Sequence, residues 1–430
     1  MSDTHEHSVA FVRTEILPEQ EPPVAETGAI KWLRENLFSS VGNSALTLVA
    51  IYCVYRLVDW ILPWLANGVW DSPSIRACRE ILQGEVGGCF AVLAERWNQL
   101  LFGFQYPTEL YWRVTLAFVL LFVAIAPVLF YKVFPRKMLI FTGLYPFLAY
   151  WLIWGGSVLV PVFTLLGFVV GYIVYSRLVA KSFALGFFGG IFAIGFTWWL
   201  ASFVPVEGVL AMQQVESREI GGFMLNLILG TVCVSLSIPI GIALALGRQS
   251  DMPIIKWICV VFIEFIRGVP LITLLFVANV VLAYFLPPGT TFDLIVRVII
   301  MITAFASAYI AEVIRGGLSA LPKGQYEAAD SLGLDYAQSM RLIILPQALK
   351  ISIPGIVNVA VGLFKDTTLV SIISMFDLVG MIRGPILAST EWNGVYWELF
   401  GFAALLFFVV CYGISQYSQW LERQLTRDSH

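Results

Sequence analysis

The sequence predicts an all-α protein that threads a membrane about ten times. Three observations carry this. The chain of 430 residues is 59% hydrophobic and only 13% charged, against about 25% charged in an average soluble domain. Fourteen Trp and 32 Phe add more apolar surface than a soluble fold of this length can hide, so lipid is part of its solvent. Apolar runs near the length at which a helix crosses the hydrocarbon core recur along the chain, and a spanning segment must satisfy its own backbone as helix.

In chain order, residues 1–43 are polar and acidic, with Pro18, Pro22 and Pro23, and read as a disordered tail. No basic stretch precedes a short apolar core, so a cleaved signal peptide is not expected. Spans are expected over about 44–66, 111–131, 138–154, 157–175, 183–204, 221–247, 266–286, 292–313, 348–378 and 395–419. Gly155-Gly156 supplies a tight turn between two of them. Lys132, Arg136, Lys137, Arg177, Lys181, Arg248 and Lys256 fall in short loops on one side, whereas 205–220 and 379–394 carry few cations. That bias puts both termini and residues 314–347 inside, and the 67–110 loop outside.

The texture changes near residue 206. The stretch 44–205 is an N-terminal membrane extension with about five aromatic-rich helices. The stretch 206–430 carries ionisable residues at membrane depth, Pro and Gly breaks, and small residues at four-residue spacing. Ser237, Gly241 and Ala245 share one helix face, which suits close helix contact in lipid.

Composition excludes several chemistries. His5, His7 and His430 all lie in the tails, so no haem ligand, zinc helix or His-based triad lies in the membrane. No catalytic residue and no metal site is expected. A phosphate-binding loop is absent, so if ATP drives the protein another chain hydrolyses it. A net charge of −3 argues against nucleic acid as a partner. No CxxC pair occurs. Cys53, Cys233, Cys259 and Cys411 read as small apolar fillers. Cys78 and Cys89 share the polar loop and can form a disulfide if it faces an oxidising compartment.

One insert breaks the apolar texture: EAADSLGLDYAQSMRLIILP, residues 327–346. Pro322-Lys323-Gly324 makes a turn, Gln325 to Leu332 favours helix, and Gly333 can supply a left-handed stop. Asp335 with Gln338 fits a capping box for a second helix, and Pro346 suits the first turn of the next span. Ala328 and Ala329 would let another backbone approach. Tyr326, Leu332 and Leu334 could fill a groove, and Glu327 could meet a basic rim or cap a helix. The alternative is a plain loop packed on its own protein.

The spacing E-A-A-x3-G-x9-I-x-L-P, carried by Glu327, Ala328, Ala329, Gly333, Ile343, Leu345 and Pro346, resembles the EAA signature of membrane subunits of bacterial ABC importers. FIEFIRGVPLITLLF (262–276), AEVIRGGLSALPKGQYEAA (311–329), ILPQALKISIPG (344–355) and FKDTTLVSII (364–373) resemble the polar amino-acid branch, of histidine/glutamate/glutamine type. The resemblance covers roughly 220–420. It implies that the last five helices form a type I ABC importer transmembrane domain, and that residues 322–346 are the loop inserted into a cleft of the ATPase. It also implies a related second permease as heterodimer partner, two copies of an ABC ATPase subunit that bind ATP and Mg, and a periplasmic amino-acid-binding protein. The localisation implied is the bacterial inner membrane. Most members of the branch are about half this long; the long form resembles permeases of general L-amino-acid import systems.

A charge in a membrane helix is costly, so it is paired or functional. Lys365-Asp366-Thr367-Thr368 lies about 17 residues into a helix that begins near 348, roughly 25 Å along it. Asp366 can face a substrate ammonium, with Lys365 or the hydroxyls near the carboxylate; an internal Lys–Asp pair is the other reading. Glu264 and Arg267 precede Gly268-Val269-Pro270, a stretch that should break at the proline. Glu264 can meet the ammonium, and Arg267 can anchor the elbow or pair with Glu264. The stretch resembles the family's E-x-x-R-G-T-P with Val269 in place of Thr. The function expected is a permease that moves amino acids inward by alternating access. The rival is an ion-coupled secondary amino-acid transporter, which also uses broken helices and midplane charges but needs no docking insert.

Overall fold

The computed structural model describes residues 28–205, 208–281 and 293–427. Among the described residues the chain is helical, with isolated bridges and no strand. It divides into two units. His5, His7 and His430 lie outside the described residues, as do residues 1–27 of the expected tail.

The smaller unit holds residues 28–68 and 82–88. Helix α1 (Gly28–Asn36) corrects the expected disorder up to 43. Past Pro23 the run has no breaker, and Lys31 pairs with Glu35 one turn on at 3.8 Å. Helix α2 (Val41–Ala66) starts where Ser40 Oγ accepts from the Asn43 amide at 3.1 Å. It is mostly apolar, with Arg56 and Asp59 three apart in its middle, and Cys53 is exposed on it rather than buried.

The larger unit holds residues 69–81 and 89 onward. Its first part was expected as a loop. It is instead a packed lobe with α3 (Ile75–Leu82), α4 (Ala91–Glu95) and α5 (Trp97–Phe102). A Cys78–Cys89 disulfide, with Cα atoms 6.0 Å apart, ties it together. Both cysteines are buried, in one apolar cluster with Leu100 and the fully buried Trp392. A polar stretch can fold this way because its apolar residues recur every three or four positions, giving each short helix one side to bury.

Among the described residues, eight helices are long and apolar enough to cross a membrane; a bent pair and the shorter α7 (Met138–Trp154) fall at the other two expected segments. In the larger unit these include α6 (Tyr111–Leu129), α8 (Leu159–Leu178), α9 (Phe183–Ala201) and α10 (Gly222–Arg248). The segment expected over 266–286 differs. Helix α11 (Pro253–Gly268) precedes it, and at Val269-Pro270 the chain turns by 103° into α12 (Leu271–Phe276) and a wide turn to Val281. Pro270 lacks the N–H that would continue α11. Lys256, expected in a loop, therefore lies on α11, and residues 282–286 lie outside the described residues. Ile254, Trp257, Ile258 and Phe265 are exposed on α11 while Ile263 and Ile266 are buried.

Helix α13 (Leu294–Ser319) is the most enclosed span, and it packs on α10 and α16 (Leu345–Asp366). Small residues set these approaches. A Cβ on Gly241 would fall 2.6 Å from Ile310 Cγ2, and one on Gly317 would fall 2.6 Å from the Ala348 carbonyl oxygen. Helix α17 (Tyr396–Arg427) closes the described residues.

Candidate functional site

The insert folds as a two-helix hairpin. Helix α14 (Lys323–Ser331) stops at Gly333, whose φ of +69° no β-branched side chain tolerates. The Gly333 amide donates to Asp330 O at 2.9 Å. Helix α15 (Tyr336–Ser339) opens on a reciprocal capping box: the Gln338 amide donates to Asp335 Oδ1 at 2.7 Å, and the Asp335 amide to Gln338 Oε1 at 3.2 Å. A wide turn, Met340–Ile344, leads into α16.

One side of the hairpin is anchored. Ala329 is fully buried, and Tyr326 packs against a buried cluster that includes Ile314, Leu318, Met340 and Ile344. Gln347 Nε2 donates to Gln325 Oε1 at 3.0 Å. Ala329, expected to let another backbone approach, and Tyr326, expected to fill a groove, therefore both pack within the chain. Leu345 is half-buried and Pro346 exposed. The other side is open: Glu327, Ala328 and Gly333 are exposed, with Leu332 72%, Tyr336 62% and Leu342 63% exposed beside them.

The root of the hairpin carries an ionic cluster. Glu312 on α13 receives Arg248 from α10 at 3.2 Å, Arg267 from α11 at 3.6 Å and Arg315 Nε from its own helix at 2.8 Å. Arg248 also reaches Glu264 at 3.0 Å. The Arg267 guanidinium lies 5.6 Å from the Tyr309 ring centroid. Glu264 and Arg267 thus join a structural network, and Arg267 pairs with Glu312 rather than Glu264. Sequence reasoning passed over Glu312 and Arg315, although the i, i+3 spacing in AEVIRGG marks a possible pair.

The break after α16 forms the second site. From Thr367 to Ile373 the helix tightens, and it stops at Ser374 in a left-handed turn. Lys365 is exposed, and Asp366 is half-buried with no ion pair or hydrogen-bonded partner among the described residues. Thr368 Oγ1 donates to Lys365 O at 2.9 Å. Thr367 turns away into a buried knot: it donates to Phe364 O at 2.7 Å and accepts from Asn226 Nδ2 at 2.9 Å. Asn226 Nδ2 also reaches Asp377 Oδ2 at 3.1 Å, and Asn226 Oδ1 accepts from the Leu378 amide at 3.1 Å. Asn226, Thr367 and Asp377 have no exposed surface. The Asp377 carboxylate accepts from the Gly380 amide at 2.9 Å and the Val379 amide at 3.3 Å. A lone amide in an apolar run was the only sequence signal for this knot.

The extension from residue 69 onward is built onto this region. The Cys89 amide donates to the buried Glu398 Oε1 at 2.9 Å, Arg96 pairs with Glu391 at 2.6 Å, and the Ile75 amide donates to Glu391 O at 2.9 Å. A Cβ on Gly222 would fall 2.7 Å from Leu100 O, so only glycine lets α5 lie so close to the start of α10.

Among the described residues, helices long and apolar enough to cross a membrane and a hairpin anchored on one side make this a polytopic membrane protein. Comparison with known proteins gives the family. The profile of "Binding-protein-dependent transport system inner membrane component" matches residues 237–427. The glutamate/glutamine/aspartate/asparagine transport system permease protein BztC of Rhodobacter capsulatus is 51% identical over 439 residues, covering 100% of both chains. The inner membrane amino-acid ABC transporter permease protein YhdY of Escherichia coli K12 is 38% identical over 400 residues, 92% of this chain and 93% of its own. The probable glutamine ABC transporter permease protein GlnP of Bacillus subtilis is 33% identical over 208 residues, 48% of this chain and 92% of its own. The chain belongs to the family of binding-protein-dependent transport system inner membrane components. It is a multi-pass inner-membrane permease subunit of an ABC transporter, not an enzyme.

Proposed function

We propose that the chain imports amino acids, of the polar or general L-amino-acid class, by alternating access. Identity of 51% along its whole length to a glutamate/glutamine/aspartate/asparagine permease is the observation that carries the substrate class. It works with a related permease, two ATPase subunits that hold ATP and Mg, and a periplasmic amino-acid-binding protein. Both termini and the hairpin 322–346 face the cytoplasm, and the disulfide lobe faces outward.

Coupling runs through the open side of the hairpin. Leu332, Tyr336 and Leu342 leave apolar surface in water around Glu327 and Ala328, and an apolar surface on a hairpin already fixed at its base fits a groove in another subunit. ATPase closure pulls the hairpin, and the Glu312 cluster passes the displacement to α10, α11 and α13. Asp366 and Thr368 stand at the break of α16, where a half-buried, unpaired carboxylate suits a substrate ammonium. Lys365 lies beside them for the carboxylate. Glu264 and Arg267 act as positioning residues.

The test is uptake and ATPase co-purification with Glu327→Lys and Gly333→Pro. Both variants should insert normally, lose uptake and shed the ATPase. Normal uptake in both would end the coupling role. Uptake that survives depletion of the ATPase would instead favour an ion-coupled carrier.

A further inference from the structure

A groove of about 1460 Å³ opens between the added helices α6 and α7 and the permease helices α10 and α13. It exceeds the roughly 300–1,000 Å³ of an ordinary small-molecule pocket. None of Glu264, Arg267, Lys365, Asp366, Thr367 or Thr368 lines it, so it is separate from the candidate substrate path.

Its polarity is graded. Along α7 it runs from Thr142 to Trp154, about 18 Å at 1.5 Å per residue. That is close to one leaflet of a hydrocarbon core about 30 Å thick. Over this length the walls are mostly apolar. The hydroxyls of Thr142 and Tyr145 are spent on Ala124 O at 2.7 Å and Ala117 O at 2.8 Å. Charged lining groups gather at one end only: Glu216 and Arg218, and Asp293 and Arg297. Tyr150 and Trp154 stack there with centroids 5.4 Å apart, at the level where aromatic rings mark the membrane interface. Arg297 is held by one Nη1 bond to Asn279 O at 3.1 Å, while its buried Nε has no partner.

From this gradient we infer that the groove is a site for a zwitterionic aminophospholipid. An acyl chain lies along α7 and α10, the phosphate meets Arg297, and the ammonium meets Asp293, beside the exposed Arg218–Glu216 pair at 3.3 Å. Carboxylates and guanidiniums in equal number favour a head group carrying both signs over an anionic one. The bound lipid fills the seam between the extension and the permease helices.

The experiment uses the intact transporter, stripped of lipid in detergent, then offered phosphatidylethanolamine or phosphatidylglycerol and weighed by native mass spectrometry. Phosphatidylethanolamine should be retained in preference. Retention should fall about tenfold in Arg297→Gln, the loss expected for one charge-assisted hydrogen bond, and also in Ala149→Trp, which fills the groove. If Ala149→Trp fails to fold, the Arg297→Gln arm decides alone. Equal retention of both lipids, retention unchanged in Arg297→Gln, or cross-linking of Thr231→Cys to any polypeptide segment in native membranes would each overturn the assignment.

Discussion

Replacing Asn226 with Leu should cost more than any other single polar substitution in the spans. Asn226 is fully buried on α10 and serves three partners: Thr367 Oγ1 at 2.9 Å, Asp377 Oδ2 at 3.1 Å and the Leu378 amide at 3.1 Å. Leucine keeps the bulk and removes every bond. The Leu378 amide and part of the Asp377 carboxylate are then buried without a partner, at about 1–3 kcal/mol each. Because these groups share one network the losses do not simply add, and about 3–5 kcal/mol is expected. With roughly 2–4 °C per kcal/mol for a large domain, the unfolding midpoint should drop by about 6–20 °C. Thermal unfolding of the purified transporter in one detergent reads this directly. A drop below about 2 °C, less than 1 kcal/mol on that scale, would show that the knot does not fasten the end of α16 to α10.

Asp366→Asn should lower uptake about tenfold, the value of one hydrogen bond to a charged group, with the assembly intact; unchanged transport kinetics would remove Asp366 from the substrate path. Glu312→Gln leaves Arg248, Arg267 and Arg315 clustered without their shared acceptor. The side chain is 22% exposed, so the stability cost lies between the surface and buried limits, about 1–3 kcal/mol, and uptake should fall while the ATPase stays bound. A wild-type midpoint together with wild-type uptake would refute the network's role.

The spans were legible because each follows from a single-body property, the apolar length of its own run. The hairpin was legible for a similar reason. Gly333 and the Asp335–Gln338 box are local signals that stand where their chemistry places them, whereas Pro322 is the N-cap of α14 and Lys323-Gly324, expected in a turn, already belong to that helix. What the sequence did not disclose was pairing. Glu264 and Arg267 sit three apart and invite being read as a couple, yet Glu264 finds Arg248 and Arg267 finds Glu312, on other helices. Asn226 and Asp377 are 151 positions apart, and nothing local marks either as half of a bond. Ala328 and Ala329 look alike in the chain, but successive residues on a helix point about 100° apart, so one faces water and the other the core. The lobe at 69–81 and 89–110 was hidden for the same reason, since its short helices are stabilised by Trp392 and its neighbours far along the chain.

The change of texture near residue 206 is therefore not a mechanical boundary. Arg113 of α6 is buried and donates from Nε to Leu152 O at 2.7 Å and from Nη1 to Gln213 O at 2.9 Å, so the added helices are tied to the strap that leads into α10. Tyr106 adds a bond to Ile153 O at 2.9 Å, and the Gly222 amide donates to Phe376 O at 2.7 Å. A buried hydrogen bond is costly to leave unmade, and packed interiors shift between discrete arrangements rather than stretch. Any outward-to-inward rearrangement that moves the start of α10 or the segment around Phe376 must therefore carry the disulfide lobe with it, or break the Cys89–Glu398 and Arg96–Glu391 contacts together.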